Sequence, residues 1–115
     1  VPSPWLVDGD LSPRAREGRA LFEDPAVGCA ECHPGPHGTD LELHDVGTRG
    51  PLDRRDAFDT PALTEVWRTA PYLHDGRSAT MMDMLTVDNP DGLHGRTSHL
   101  SPEELEALAA YVLSR

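Results

Sequence analysis

Cys29 and Cys32 are the only cysteines of the chain, and His33 follows the second directly in Gly28-Cys29-Ala30-Glu31-Cys32-His33. Two thiols three positions apart with a histidine next in line form the attachment sequence of a c-type haem. Each thiol adds to one vinyl group to give a thioether, and the short turn between them lifts His33 to bind iron as the proximal axial ligand. The competing chemistries are a zinc half-site, a redox dithiol and a structural disulfide. A zinc site wants a second ligand pair at a defined distance, and Pro34-Gly35-Pro36-His37 adds at most one histidine. A thioredoxin-like dithiol sits beside a βαβ pattern, and no apolar strand-like run precedes Cys29. With both thiols consumed by the attachment, no disulfide is expected.

Composition agrees with a chain built around a cofactor. Its 115 residues suggest one domain. Only 37% are apolar and 5% aromatic, thin for a self-sufficient core, while eleven prolines and ten glycines call for long loops. A haem resolves the conflict by offering a large apolar surface on which short helices pack. The net charge is −10 and all ten basic residues are arginine. Such a surface lacks the basic footprint that nucleic acid needs; it suits a basic redox partner, or simply keeps the protein in solution. Nothing approaches the ~18 apolar residues of a membrane span. Thioether attachment places the chain outside the reducing cytoplasm, in a periplasm or on its membrane surface. With no signal peptide, Val1 reads as the start of a processed chain or an excised domain.

Residues 1–11 form an extended lead-in, with Trp5 and Leu6 either pinning it to the body or belonging to a linker. Ser12-Pro13 pairs a capping hydroxyl with proline at the first helical position and predicts a helix to about Glu23. Gly18 inside that helix marks the close approach of another backbone. Cys32 and His33 fall in one helical turn ended by Pro34 and Gly35. Residues 34–59 form an irregular loop that wraps the haem edge, with Leu41, Leu43 and Val46 directed inward. Arg49, Arg54 and Arg55 are candidates to pair with propionates, or plain surface arginines. Thr60-Pro61 predicts a short helix to about Thr69, and Thr80 caps another that Asn89-Pro90-Asp91-Gly92 ends. Ser101-Pro102-Glu103-Glu104 opens a last helix over about 102–114 with a full capping box. The fold class expected is all-α, with about four short helices and half the chain in loops: a lead-in over 1–11 and a monohaem domain over 12–115.

This order is similar to cytochrome c. More specifically, Phe58-Asp59-Thr60-Pro61-Ala62-Leu63, then Thr69-Ala70-Pro71-Tyr72-Leu73-His74-Asp75-Gly76 and Ala79-Thr80-Met81, resembles the carboxy-terminal haem domain of bacterial di-haem cytochrome c peroxidases. That group includes the methylamine-utilisation di-haem enzymes, and single-haem relatives occur fused to other domains. The resemblance implies a closing helix, bearing Tyr111, that crosses the opening one. Two departures stand out. The peroxidases hold two haems, whereas this chain has one attachment sequence. Their carboxy-terminal domain presents its distal methionine in Met-Gly-Arg, where this chain reads His94-Gly95-Arg96.

The sixth ligand decides what the iron can do, and several residues compete. His94 is the expected ligand, on a glycine-flanked loop at the place where the family presents its own; His99 is the alternative. Met81, Met82 and Met84 read as core filling. Through the resemblance, His74 belongs near the haem surface or holds its loop. His44 reads as an ordinary loop histidine, and His37 lies too close to His33 to reach the opposite face. Two imidazoles would make the iron low-spin, with a potential below that of a His/Met cytochrome. The function expected is then electron transfer to a partner protein or a fused neighbouring domain. Peroxidase-like chemistry or gas sensing would each need an open distal site.

Overall fold

Two cap-and-proline sequences set the long helices. The computed structural model describes residues 1–115, and its first helix, α1 (Pro13–Glu23), starts where Ser12 Oγ accepts the Ala15 N–H at 3.1 Å. The last, α4 (Pro102–Leu113), carries the complete capping box: Glu104 N–H donates to Ser101 Oγ and Ser101 N–H to Glu104 Oε1. These ends satisfy backbone donors that a helix otherwise leaves to water. The two helices cross at Gly18, where an ideal Cβ would lie 1.8 Å from the carbonyl oxygen of Ala107. Phe22 then meets Tyr111 edge to face, with centroids 5.1 Å apart. Leu108, Ala15 and Val27 are sealed beneath this crossing.

The other two helices are short: α2 (Cys29–Cys32) and α3 (Met81–Leu85). Gly28 precedes α2 in the left-handed region (φ +89°), turning the chain so that both cysteines follow on one helical turn. Thr80 caps α3 by accepting the Asp83 N–H. Strand content is limited to two antiparallel two-residue pairs, β1 (Leu6–Val7) with β2 (Asp10–Leu11), and β3 (Leu43–His44) with β4 (Phe58–Asp59). The lead-in is therefore a hairpin, turned by Asp8 and Gly9 at φ +51° and +80°, a pair suited to the right-handed twist of its flanking strands. Ser3, buried, ties it to the body by donating its hydroxyl to the Leu113 carbonyl at 2.6 Å. No helix is long and apolar enough to cross a membrane.

Three expectations need correction. The helix foreseen over 60–69 shrinks to a 3₁₀ turn at Val66–Arg68. Thr60 and Leu63 donate their N–H groups to Glu42 and His37 across the 34–59 loop, and Glu65 takes a left-handed φ of +59°, so no α-helical ladder can form. The Thr80 helix stops at Leu85, and Val87 beyond it is exposed. Of the three apolar residues expected to face inward from the 34–59 loop, Leu41 and Leu43 point to solvent (87% and 50% exposed). Only Val46 lines the interior cavity.

Candidate haem site

A cavity of about 400 Å³ opens between α2, the β4 segment, residues 71–74, α3 and the 92–96 loop. Phe22 and Val112 bring the α1–α4 crossing to its wall, so the helix pair that forms the core also forms one side of the site. The volume lies within the range of cofactor pockets, roughly 300–1,000 Å³. The fold is shaped for a large apolar occupant.

Cys29, Cys32 and His33 all line this cavity. Burial pushes the Cys29 thiol up to about 11, and burial together with the nearby Asp40 and Glu31 carboxylates raises that of Cys32. A redox dithiol needs a lowered thiol pKa, so this pair is poorly suited to that role. His33 Nδ1 meets the Gly38 carbonyl oxygen at 2.6 Å. A carbonyl only accepts, so Nδ1 carries the proton and Nε2 keeps its lone pair, the tautomer that a metal-ligating histidine needs. Burial also lowers the His33 pKa, with the Gly38 bond opposing.

His94 stands opposite. Its ring centroid lies 6.3 Å from that of His33, with the planes tilted by 31°. Two imidazoles sharing one metal at the usual metal–nitrogen distance of about 2 Å place their centroids about 6 Å apart. Burial, and next the neighbouring His33, push the His94 pKa down to about 4, which keeps the ring neutral. Its Nδ1 is buried and without a hydrogen-bond partner. The donor set and the ring spacing fit a haem, whose iron His33 and His94 would ligate and whose attachment Cys29 and Cys32 would supply.

The loop bearing His94 is docked onto the attachment segment. Arg96 donates its backbone N–H to Val27 O at 2.8 Å and its guanidinium to the carbonyls of Pro25 and Ala26. Gly95, at φ +82°, lets the chain turn beside Cys29; an ideal Cβ there would sit 3.7 Å from the Cys29 sulfur. Asn89, after α3, reaches across to the same loop with its side-chain amide.

The remaining candidates separate clearly. His99 is exposed and outside the cavity lining, as is His37, whereas His44 lines it and bonds Asp40 Oδ2 through Nε2 at 2.6 Å. Met81 and Met84 line the cavity wall and Met82 does not. His74 stacks on Phe58 with centroids 3.7 Å apart and bonds Asp53 Oδ2 through Nε2 at 2.8 Å, fastening the 50–53 loop to the rim. Arg49 pairs with Asp56 at the surface, and neither it nor Arg54 nor Arg55 lines the cavity; Arg96 does. Sequence reasoning missed Gly38, Asn89 and the Phe58–His74 stack. Asn89-Pro90 signals a turn, but nothing in the sequence tells where an asparagine side chain in a turn points.

Comparison with known proteins places the chain in a family. The family model described as Cytochrome c matches residues 15–115. The chain is 35% identical to the hydrazine synthase subunit gamma of Kuenenia stuttgartiensis, covering 92% of this chain and 42% of that protein. It is 30% identical to the cytochrome-c peroxidase IdrP2 of Pseudomonas sp. (strain SCT), covering 99% of this chain and 43% of that one. A solved structure of Kuenenia stuttgartiensis hydrazine synthase pressurised with xenon superimposes with a TM-score of 0.90 at 31% identity, over all of this chain and 50% of the other. The chain thus spans less than half the length of the curated relatives it matches. With the fold, the attachment sequence and the matched span in agreement, the chain belongs to the cytochrome c family and is akin to the haem domains of the di-haem peroxidases.

Proposed function

We propose that this chain is a one-electron carrier domain that holds a single haem c, attached through Cys29 and Cys32 and ligated by His33 and His94. The observation that carries the reading is the 6.3 Å approach of two partly buried imidazoles in a cavity that both cysteines also line. When bound, the haem supplies a centre that takes up and releases one electron. The residues do the rest. His33, oriented by the Gly38 carbonyl, and His94, held on its docked loop, would both ligate the iron and so leave no place on it for substrate. Two imidazole ligands would set the potential below that of a His/Met cytochrome. Phe22, Val66, Leu85 and Val112 give the cavity an apolar wall.

Residues 12–115 then make up the monohaem domain, with 1–11 as its lead-in. Thioether attachment argues for a periplasmic or otherwise extracytoplasmic place. The length of the relatives argues for a partner that is either a redox protein or a neighbouring domain of a longer chain. A peroxidase-like role is the second reading, favoured by the relative of that name and by His74, which lines the cavity with the Asp53 carboxylate behind it. A gas-sensing module shares its requirement, because both need His94 to leave. Carbon monoxide separates them. The reduced protein is expected to be six-coordinate, low-spin and slow to bind the gas at neutral pH, and His94→Ala to become high-spin and bind it readily. Ready binding by the unaltered protein would overturn the carrier reading.

A further inference from the structure

We propose that Asn89 is a positioning residue for the distal ligand: its buried amide grips the backbone of His94 and thereby holds the imidazole over the iron. The inference rests on His94 being that ligand. Asn89 is 7% exposed. Its Oδ1 accepts the His94 N–H at 3.0 Å, and its Nδ2 donates to the carbonyl oxygens of His94 at 3.1 Å and Gly95 at 2.8 Å. One side chain therefore holds the main chain of His94 at both its amide and its carbonyl. A third contact of Nδ2, to Thr97 Oγ1 at 3.2 Å, passes the grip on, because that hydroxyl donates to the Leu85 carbonyl at the end of α3.

A turn-forming asparagine bonds backbone one or two residues away. Asn89 instead reaches five to eight residues ahead, over a stretch with no regular structure. Gly92 and Gly95 both lie in the left-handed region there, at φ +66° and +82°. The backbone between two such glycines is intrinsically mobile. Against that mobility the amide is the one side chain that bonds the His94 main chain. The His94 ring itself has no hydrogen bond at Nδ1, so its aim comes from the backbone beneath it rather than from a partner on the ring. Ligands so held keep their geometry only while the second layer holds.

The test uses the haem-loaded protein and reads the low-spin fraction and the carbon monoxide affinity of the reduced form. Asn89→Ala should raise the high-spin fraction and increase that affinity at least tenfold. Asn89→Asp, which keeps an acceptor for the His94 N–H but sets an anion against two carbonyls, should move both readings the same way; it decides the matter if the alanine variant does not fold. The Asn89→Ala/His94→Ala double variant should bind the gas as His94→Ala does, since the amide acts only through the ligand. Ser3→Ala, which removes the buried tie of the lead-in to Leu113 and lies outside both the cavity lining and the 92–96 loop, should melt earlier yet keep the original affinity. If Asn89 variants melt earlier but stay fully low-spin with unchanged affinity while His94→Ala turns high-spin, Asn89 only stabilises the fold. The proposal is then overturned, as it is if Ser3→Ala shifts the affinity equally. A His94→Ala protein with an unaltered low-spin spectrum would instead remove the ligand reading, and this inference with it.

Discussion

Gly18 and Ala107 touch backbone to backbone, so close that a single added methyl on Gly18 would overlap the Ala107 carbonyl at 1.8 Å. This contact fixes how deeply α1 sinks onto α4, and hence where Phe22 and Val112 stand on the cavity wall. Helix propensity alone would favour Gly18→Ala by about 1 kcal/mol. The clash dominates, because neither helix can retreat without opening the core, and overpacking of this kind costs about 1–3 kcal/mol or more. Gly18→Ala should lower the denaturant midpoint of the haem-loaded protein by a corresponding amount. An unchanged or higher midpoint would show that the helices separate freely.

Ligand identity is readable through the potential. His94→Met restores the residue type that the di-haem peroxidases present in the matching tripeptide, and methionine ligation raises a haem potential. Redox titration of this variant should give a higher midpoint than the unaltered protein. His99→Ala should leave midpoint and spectrum in place, since His99 is exposed and outside the cavity lining. A shift with His99→Ala and none with His94→Met would reverse the assignment of the two histidines.

Local signals in the sequence are met where the chain decides its own structure. Ser12-Pro13 and Ser101-Pro102 foretell α1 and α4 because a cap and a proline act within one turn. Gly18 foretells the helix crossing. The same device fails at Thr60-Pro61, where Thr60 and Leu63 donate their N–H groups to Glu42 and His37, residues far back in the chain. Leu41 and Leu43 look inward-facing by composition, yet the β3–β4 pairing turns Leu43 out, and Leu41 adopts a positive φ of +61°. The grip of Asn89 is invisible for a related reason: its partners lie beyond a loop whose path only the tertiary fold defines.

Gly38 joins two requirements in one residue. It lies at φ +65°, and an ideal Cβ there would be 2.9 Å from the Cβ of Leu63. Alanine would carry both the left-handed strain of about 1–2 kcal/mol and a push against Leu63. The carbonyl that receives the His33 proton belongs to this same residue, so displacement weakens that bond. A proximal imidazole with a weaker hydrogen bond is less basic and stabilises oxidised iron less well. Gly38→Ala should therefore destabilise the protein by about 1–3 kcal/mol and raise its redox midpoint together. Destabilisation with no change in potential would mean that the carbonyl does not tune the ligand.

Acid should unfold the protein by way of its loop carboxylates. The Glu42 N–H, and then His44, hold the Asp40 carboxyl down at about 2. The Gly50 N–H lowers Asp53, and Arg77 lowers Asp75. Each has a folded pKa below the unfolded value of about 3.9. On acidification the unfolded chain therefore binds protons first, and stability falls with pH. The contribution of these groups is complete above about pH 5 and disappears as the pH drops towards 2. Urea midpoints of the haem-loaded protein should decline steadily between those limits. Asp40→Asn removes the ionisable group while keeping an oxygen for the Glu42 N–H, so it should lower the midpoint at pH 7 and converge on the unaltered protein near pH 2. Parallel curves, separated by the same amount at both ends, would show that Asp40 contributes through shape and not through charge.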